Sequence, residues 1–340
     1  MSQREEGMGL AGAGTIGTAA AGSSGKRKRR NFTLEERLFR GISFSSAMFV
    51  LVLLVGILAT LSILAWPAFQ AFGWKFFTSA QWDIVSDTFG GLAPITGTLV
   101  TSLIAMAFAV PVAFGIATFI TQLAPDWFKK PVGIAIELLA AVPSIIFGMW
   151  GLFVFAPFFG KNLQPLISST LGKLPLVGSL FVGAPIGIGP FSAGFILALM
   201  SLPFITAVMR DVFEVVPTQL RESAFAMGST TWEVVWKIVL PFTKAGVISA
   251  VILGLGRALG ETMAVTFVVG NSHNLSPSLF LPGTTIAATI ANDFAEASSQ
   301  LHQSALIALG LLLFVITLAV LSLSKILLIY LQKRQFGEKT

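Results

Sequence analysis

Two ionisable residues stand where their surroundings place them inside a membrane. In Gly254-Leu-Gly256-Arg257-Ala-Leu-Gly260-Glu261-Thr262, Arg257 falls near the middle of a long apolar run. A charge at the centre of a spanning helix costs about 2.5–3.5 kcal/mol on insertion scales, so it needs a reason. Glu261 follows four residues later and shares a face with Arg257 on an unbroken helix. Gly256 and Gly260 form a small-xxx-small pair that lets another helix approach closely. Two readings stand. In one, Arg257 and Glu261 neutralise each other and lock two helices. In the other, Arg257, Glu261 and Thr262 line a substrate path. There a guanidinium grips an oxyanion bidentately, and Glu261 keeps it neutralised and discourages a trapped anion.

Glu137 is a third charge in an apolar segment, seven residues beyond Lys130 and so about 10 Å along a helix. Its bland reading, a buried structural carboxylate satisfied by hydrogen bonds, outweighs a substrate contact. A proton relay would want a second ionisable group on the path, and none is evident. His273 and His302 read as ordinary loop histidines within one polar stretch, since no carboxylate flanks either at metal-ligand spacing. The absence of cysteine removes disulfides, thiolate metal sites and cysteine nucleophiles. No Gly-x4-Gly-Lys-[Ser/Thr] occurs; Gly25-Lys26-Arg27 and Gly172-Lys173-Leu174 lack the hydroxyl that holds magnesium. No Ser/His/Asp set presents itself either. The chain reads as a non-enzyme with no cofactor, whose energy must come from another subunit or an ion gradient.

The stretch Arg210–Lys244 is patterned for a different task. Thr218-Gln-Leu-Arg-Glu222-Ser223-Ala224-Phe-Ala-Met227 favours helix and stops at Gly228, a suitable residue just past a helix end. Thr230-Thr231-Trp232-Glu233 reads as a capping box, with Thr230 as N-cap and Glu233 three residues on. A second helix, Thr231–Leu240, is expected to end before Pro241. The unit is therefore helix, glycine turn, helix. It is either a solvated surface hairpin or a rigid dock that passes force to a cytoplasmic partner.

The elements that carry these groups follow from composition. The 340 residues are 54% hydrophobic and 11% charged, with a mean hydropathy of +0.83. Soluble domains carry roughly 25% charged residues, so the bilayer is the natural solvent here. Six apolar segments reach spanning length: Gly41–Phe69, Ile95–Leu123, Val132–Phe159, Phe191–Met209, Ala245–Gly270 and Ser304–Leu331. Pro111, Pro143 and Pro203 fall inside them, which suits a bundle whose neighbours re-satisfy freed backbone groups. Asn162–Pro190, broken by glycine and proline, reads as an outside loop with interfacial or re-entrant pieces; a hidden seventh and eighth span is the lesser alternative.

Net charge is +6, and 18 of the 22 lysines and arginines fall in the N-terminal tail, the second and fourth loops and the C-terminus. The first, third and fifth loops hold Lys75, Lys161 and Lys173 alone. That asymmetry places both termini in the cytoplasm. The run Lys26–Arg30 is a topogenic cluster and not a nucleic-acid patch, because a long apolar segment follows it. Gly7–Gly25, nearly all Gly, Ala, Ser and Thr, has little to bury. Residues 1–40 are thus expected to be a mostly disordered cytoplasmic tail, without a cleavable signal.

Glu222-Ser-Ala-x3-Gly228-x9-Ile238-x-Leu240-Pro241 resembles the EAA loop of permeases in bacterial ATP-binding-cassette importers. It departs only in Ser223, where the family usually has alanine, another small residue. Gly256-Arg257-Ala-Leu-Gly260-Glu261-Thr-Met-Ala-Val is similar to the fifth-helix signature of phosphate-specific permeases, and Glu137-Leu-Leu-Ala-Ala-Val-Pro143-Ser144-Ile-Ile-Phe-Gly148 to their third-helix motif. The likeness covers about Ala93 to Leu331 and favours the C-type over the A-type permease. It implies an all-α integral membrane protein of six transmembrane helices with a MetI-like, type I importer fold. It also implies phosphate as substrate, a second permease subunit, two ATPase subunits, a periplasmic phosphate-binding protein and residence in the bacterial inner membrane among lipid. In that family the loop's short helices enter a cleft on the ATPase, which assigns Glu222, Ser223, Ala224, Gly228, Ile238, Leu240 and Pro241 to that contact. The expected organisation is a tail (1–40), a first helix and outside loop (41–92), a permease domain (93–331, coupling loop 210–244) and a short cytoplasmic end (332–340).

Overall fold

A computed structural model describes residues 32–175 and 177–336. Most of the expected tail and the last residues of the expected C-terminal end lie outside the described residues. Among the described residues, six helices are long and apolar enough to cross a membrane, and the hidden seventh and eighth spans are not found. Helix α1 runs Phe32–Phe72, so residues 32–40 are helical and not part of a disordered tail. Its first part, through Val55, forms one compact unit, and the chain from Gly56 forms another. Its apolar window is unburied within the chain, as a lipid-facing helix requires.

After α1, a two-residue pairing of β1 (Trp82–Asp83) with β2 (Thr88–Phe89) makes a small antiparallel hairpin. Asp83 Oδ2 accepts from the Ser86 hydroxyl at 2.6 Å and Oδ1 from the Val85 N–H at 2.9 Å, which rounds the hairpin tip. These bonds hold the Asp83 carboxyl below its ordinary range, the hydroxyl first.

Helix α2 (Leu92–Leu123) packs on α5 (Pro190–Glu214), the most buried span of the bundle. Ala105, Ala109, Ala113 and Ala117 recur every four residues on α2, and all are fully buried. Such a flat strip lets helices close up where lipid supplies no hydrophobic drive between them. Glycines serve the same purpose. A Cβ on Gly194 would stand 2.7 Å from Ile104, and one on Gly254 of α7 (Thr231–Leu259) 2.5 Å from Ile205.

The third apolar segment is not one helix. Helix α3 (Asp126–Ala140) ends at Ala141–Pro143, and α4 (Ser144–Lys173) begins anew. Pro143 has φ −57° and ψ 137°, an extended conformation, and a proline also turns the residue before it away from the helical one. The expected span Val132–Phe159 therefore straddles a break. Helix α4 also continues through much of the expected loop Asn162–Pro190, to Lys173. Between α4 and α5 the chain is held by single helical turns and by the Gln164 side chain. Its amide donates to Ala184 O at 2.7 Å, and its oxygen accepts from Gly187 N–H at 2.9 Å.

A second break interrupts the fifth segment. Helix α7 stops at Leu259 and α8 (Met263–Val269) starts after three intervening residues. At its other end α7 passes through Pro241 without ending: a π-helical turn, Val235–Val239, precedes it, and Pro241 opens the regular α-helix Leu240–Leu259, where its missing N–H is best tolerated. The expected stop before Pro241 is not observed. Helix α9 (Ile286–Asp293) and the long α10 (Gln300–Phe336) complete the fold.

The hairpin end is closed by aromatic rings. His302, 1% exposed, stacks on Phe89 at 4.7 Å and meets Trp82 edge-on at 5.9 Å. It lies in the first turn of α10, so it is a core residue and not a loop histidine. His273 Nε2 lies 3.4 Å from Asp293 Oδ2. Among the described residues, no three His, Cys, Asp or Glu side chains gather as a metal site.

Candidate functional site

The Gly260–Thr262 break separates the two charges that an unbroken helix would stack. Arg257 sits in the last turn of α7, exposed on the chain's surface, with its guanidinium 5.9 Å above the Phe204 ring of α5. Glu261 lies past the break, where its Oε1 accepts from the Ala264 N–H at 3.3 Å. It thereby satisfies an orphan donor in the first turn of α8, at the end of the helix dipole that favours negative charge. Among the described residues no ion pair joins Arg257 to Glu261. The self-neutralising pair fails because Gly260 ends the helix between them. Thr262, half-buried, carries the turn into α8.

Glu137 is corrected in the same way. Its side chain is 59% exposed and not buried, and it meets Arg210 Nη2 at 3.2 Å. The break at Ala141–Pro143 keeps α3 toward the end of α5 that carries Arg210. That partner is the second ionisable group the sequence left unseen, because it belongs to another helix.

The helix-turn-helix is built as its spacing implies. Helix α6 (Thr218–Ala226) ends in a Schellman motif: Ser229 N–H donates to Ala224 O at 3.1 Å and Gly228 N–H to Phe225 O at 2.9 Å. Gly228 has φ +85°, a left-handed conformation that costs other residues about 1–2 kcal/mol. Thr230 Oγ1 accepts from Glu233 N–H at 3.3 Å and Glu233 Oε2 accepts from Thr230 N–H at 3.0 Å, the reciprocal capping box. Lys237 adds a 2.8 Å ion pair to Glu233.

Glu222, Ser223, Gly228 and Pro241 are exposed. Ala224 is buried against the chain's own core, and Ile238 and Leu240 are half-buried. These three shape the loop from within and present little surface outward. The sequence reading missed the two largest exposed apolar groups of the loop, Met227 (82% exposed) and Trp232 (69%). Their signal was present: large apolar residues flanking the short polar turn Gly228–Thr231. It also missed Arg221, whose guanidinium donates to Phe213 O at the end of α5.

A bundle with broken spans, an exposed cation at a break and a capped helix-turn-helix following α5 has the architecture of a membrane permease. A subunit of a bacterial alginate ABC transporter shares the fold with a TM-score of 0.57 at 18% identity, covering 85% of this chain and 93% of that one. A subunit of the MetNI methionine ABC transporter does so at 0.50 and 15%, covering 69% and 93%. The model of the binding-protein-dependent transport system inner membrane component matches residues 109–334, and the chain belongs to this family. Among its relatives are proteins called phosphate transport system permease protein PstC. The one from Pasteurella multocida is 53% identical over 90% of this chain and 96% of its own length. That from Xylella fastidiosa is 55% identical over 87% and 91%, and that from Mesorhizobium japonicum 50% over 90% and 93%.

Proposed function

We propose that this chain is a permease subunit of an ATP-driven importer and forms part of the path by which inorganic phosphate crosses the inner membrane. The observation that carries the substrate is kinship: relatives at 50–55% identity along nearly their whole length are phosphate transport system permease proteins. Arg257 supports it physically, as the one cation deep in an apolar segment, exposed at a helix break and free of any carboxylate partner among the described residues. A guanidinium presents paired N–H donors to an oxyanion. With Glu261 engaged at α8, Arg257 meets the anion directly; Glu261 and Thr262 order the break beside it.

Hydrolysis of ATP takes place in separate ATPase subunits, two per transporter, because this chain has no phosphate-binding Gly/Lys loop. The dock of Glu222, Ser223, Gly228, Met227 and Trp232 faces one of them. A second permease subunit covers the face that exposes Arg257, and a phosphate-binding protein delivers substrate at the hairpin end. The dock and both termini are cytoplasmic, in line with the basic asymmetry. Residues 93–331 act as the permease domain. A carrier working alone, the competing reading, has no use for a dock. Co-expression with the neighbouring transporter subunits, reconstitution in liposomes and uptake of labelled phosphate tests this. Uptake that needs both ATP and the binding protein is expected. Uptake driven by an ion gradient without ATPase, or ATP-driven uptake of another solute to the exclusion of phosphate, overturns it.

A further inference from the structure

The last turns of α5 are held from two sides. Arg210 reaches across to α3, where Nη2 donates to Glu137 Oε1 at 3.2 Å, while Nη2 and Nε also donate to Asp211 Oδ1 at 2.9 and 3.1 Å. Its route passes over Gly133, one turn before Glu137: a Cβ there would stand 2.8 Å from Arg210 Nη1. The α3 surface is thus cut to admit this guanidinium. One turn further along α5, Phe213 O accepts from Arg221 Nη2 of α6, the first helix of the dock. Carbonyls in a helix's last turn lack full intrahelical partners; Phe213 O takes a long turn bond from Val216 N–H at 3.4 Å, and Arg221 adds a side-chain donor. Phe213 itself is fully buried, with its ring edge-on to Phe114, and so its position is fixed in the core.

The contacts continue beyond α3. Helix α3 ends at Ala141–Pro143, and α4 beyond the break packs on α8, where a Cβ on Gly148 would stand 2.9 Å from Ala264. Ala264 is the residue whose N–H Glu261 caps. A continuous series of contacts therefore links the dock to the second helix break, by way of Arg221, α5, Arg210, Glu137, α3, α4 and α8.

We propose that the Arg210–Glu137 contact is a positioning contact that makes α3 follow the dock, so that α3 pivots at Ala141–Pro143 when the ATPase moves α6. Neither residue touches substrate; Arg210 acts through Glu137 on the placement of α3. An ion pair with one half-exposed partner adds little to stability, so its loss leaves the chain folded. Its effect falls on how far a movement of the dock is felt at the break. The inference rests on the importer reading above.

The test uses the whole transporter in liposomes and measures phosphate taken up, ATP hydrolysed and complex assembled for the wild type, Glu137→Gln and Glu137→Asp. Glu137→Gln is expected to assemble and hydrolyse ATP as the wild type does, while phosphate moved per ATP falls by about tenfold. Glu137→Asp, which keeps the charge, is expected to recover most of that ratio. An unchanged ratio in Glu137→Gln overturns the inference, and so does a smaller yield of complex with an unchanged ratio, which marks a structural staple only. A wild-type transporter without ATP-driven phosphate uptake fails at an earlier point and overturns the importer reading together with this one.

Discussion

Trp82 and His273 stack face to face, with ring centroids 4.8 Å apart and planes 6° from parallel. The contact joins the hairpin after α1 to the loop after α8, two regions that share no sequence pattern. Trp82 also meets Phe89 at 4.9 Å and His302 at 5.9 Å, so one indole ties together three parts of this end. Aromatic pairs add about 0.5–1.5 kcal/mol each beyond area burial.

His302 offers a direct measure of that closure. Both ring nitrogens are buried without a hydrogen-bond partner, and an unsatisfied buried polar group costs about 1–3 kcal/mol. The site therefore uses the ring's shape more than its polarity. His302→Phe is expected to unfold at the wild-type temperature or above it. His302→Ala, which opens a cavity, is expected to lose about 3 kcal/mol. Thermal unfolding in detergent distinguishes them, and equal destabilisation by both would show that the imidazole nitrogens contribute.

The hydrogen bonds at the hairpin tip imply a pH dependence. The Ser86 hydroxyl and the Val85 amide lower the Asp83 pKa. A depressed carboxylate contributes stability above its unfolded pKa and loses it as pH falls through the folded value. Ser86→Ala raises the folded value toward the unfolded one. The protection of the Val85 amide against hydrogen exchange, taken relative to its intrinsic rate, is expected to be lost at a higher pH on acidification in Ser86→Ala than in the wild type. Identical profiles would refute the assignment.

Sidedness is open to a clean chemical test, because the chain has no cysteine. Asp126, at the start of α3, and Asn274, in the loop after α8, are both exposed. In intact cells, an impermeant maleimide is expected to label Asn274→Cys and leave Asp126→Cys untouched until the cells are opened. Labelling of Asp126→Cys from outside would invert the topology.

Gly228 separates backbone conformation from steric room. No atom lies within 4 Å of a Cβ added there, so only its φ of +85° resists substitution. Asparagine tolerates the left-handed region and β-branched residues do not. Gly228→Val is expected to lower recovery of the ATPase in pull-down at least tenfold, as about 1.4 kcal/mol of strain at the dock implies, while Gly228→Asn recovers it almost fully. Equal recovery by Gly228→Val would mean that the dock does not depend on this turn.

What was legible in the sequence was local. The Gly228 turn and the Thr230–Glu233 box are set by residues within a few positions of one another, and both stand in the structure with the partners their spacing implies. The six spans were legible from apolar length, which the bilayer dictates. The breaks were not, because hydropathy is continuous across Ala141–Pro143 and Gly260–Thr262 while helicity is not. In the sequence Pro143 simply falls inside an apolar segment and Gly260 completes a small-xxx-small pair. Contacts between elements far apart in sequence, such as Arg210 with Glu137 and Trp82 with His273, leave no trace in spacing along one chain.

The break at Gly260 decides what Arg257 and Glu261 can do to each other. On one continuous helix, Arg257→Gln would strand a buried carboxylate and destabilise strongly, and Glu261→Gln would rescue it. With Glu261 bonded to the Ala264 amide across the break, neither charge relies on the other. Arg257→Gln is therefore expected to assemble normally and to abolish phosphate uptake, since glutamine, though shorter, keeps an N–H donor group and removes the charge proposed to meet the anion. Glu261→Gln weakens the carboxylate contact at the start of α8, worth about 0.3–1 kcal/mol, and lowers uptake only in part. The double variant is expected to show the sum of the two stability changes within about 0.5 kcal/mol, and to stay inactive. Thermal unfolding of all four complexes gives the coupling energy, and labelled phosphate uptake gives the activity. A coupling above about 1 kcal/mol, with uptake restored in the double variant, would establish the neutral pair and remove Arg257 from the path.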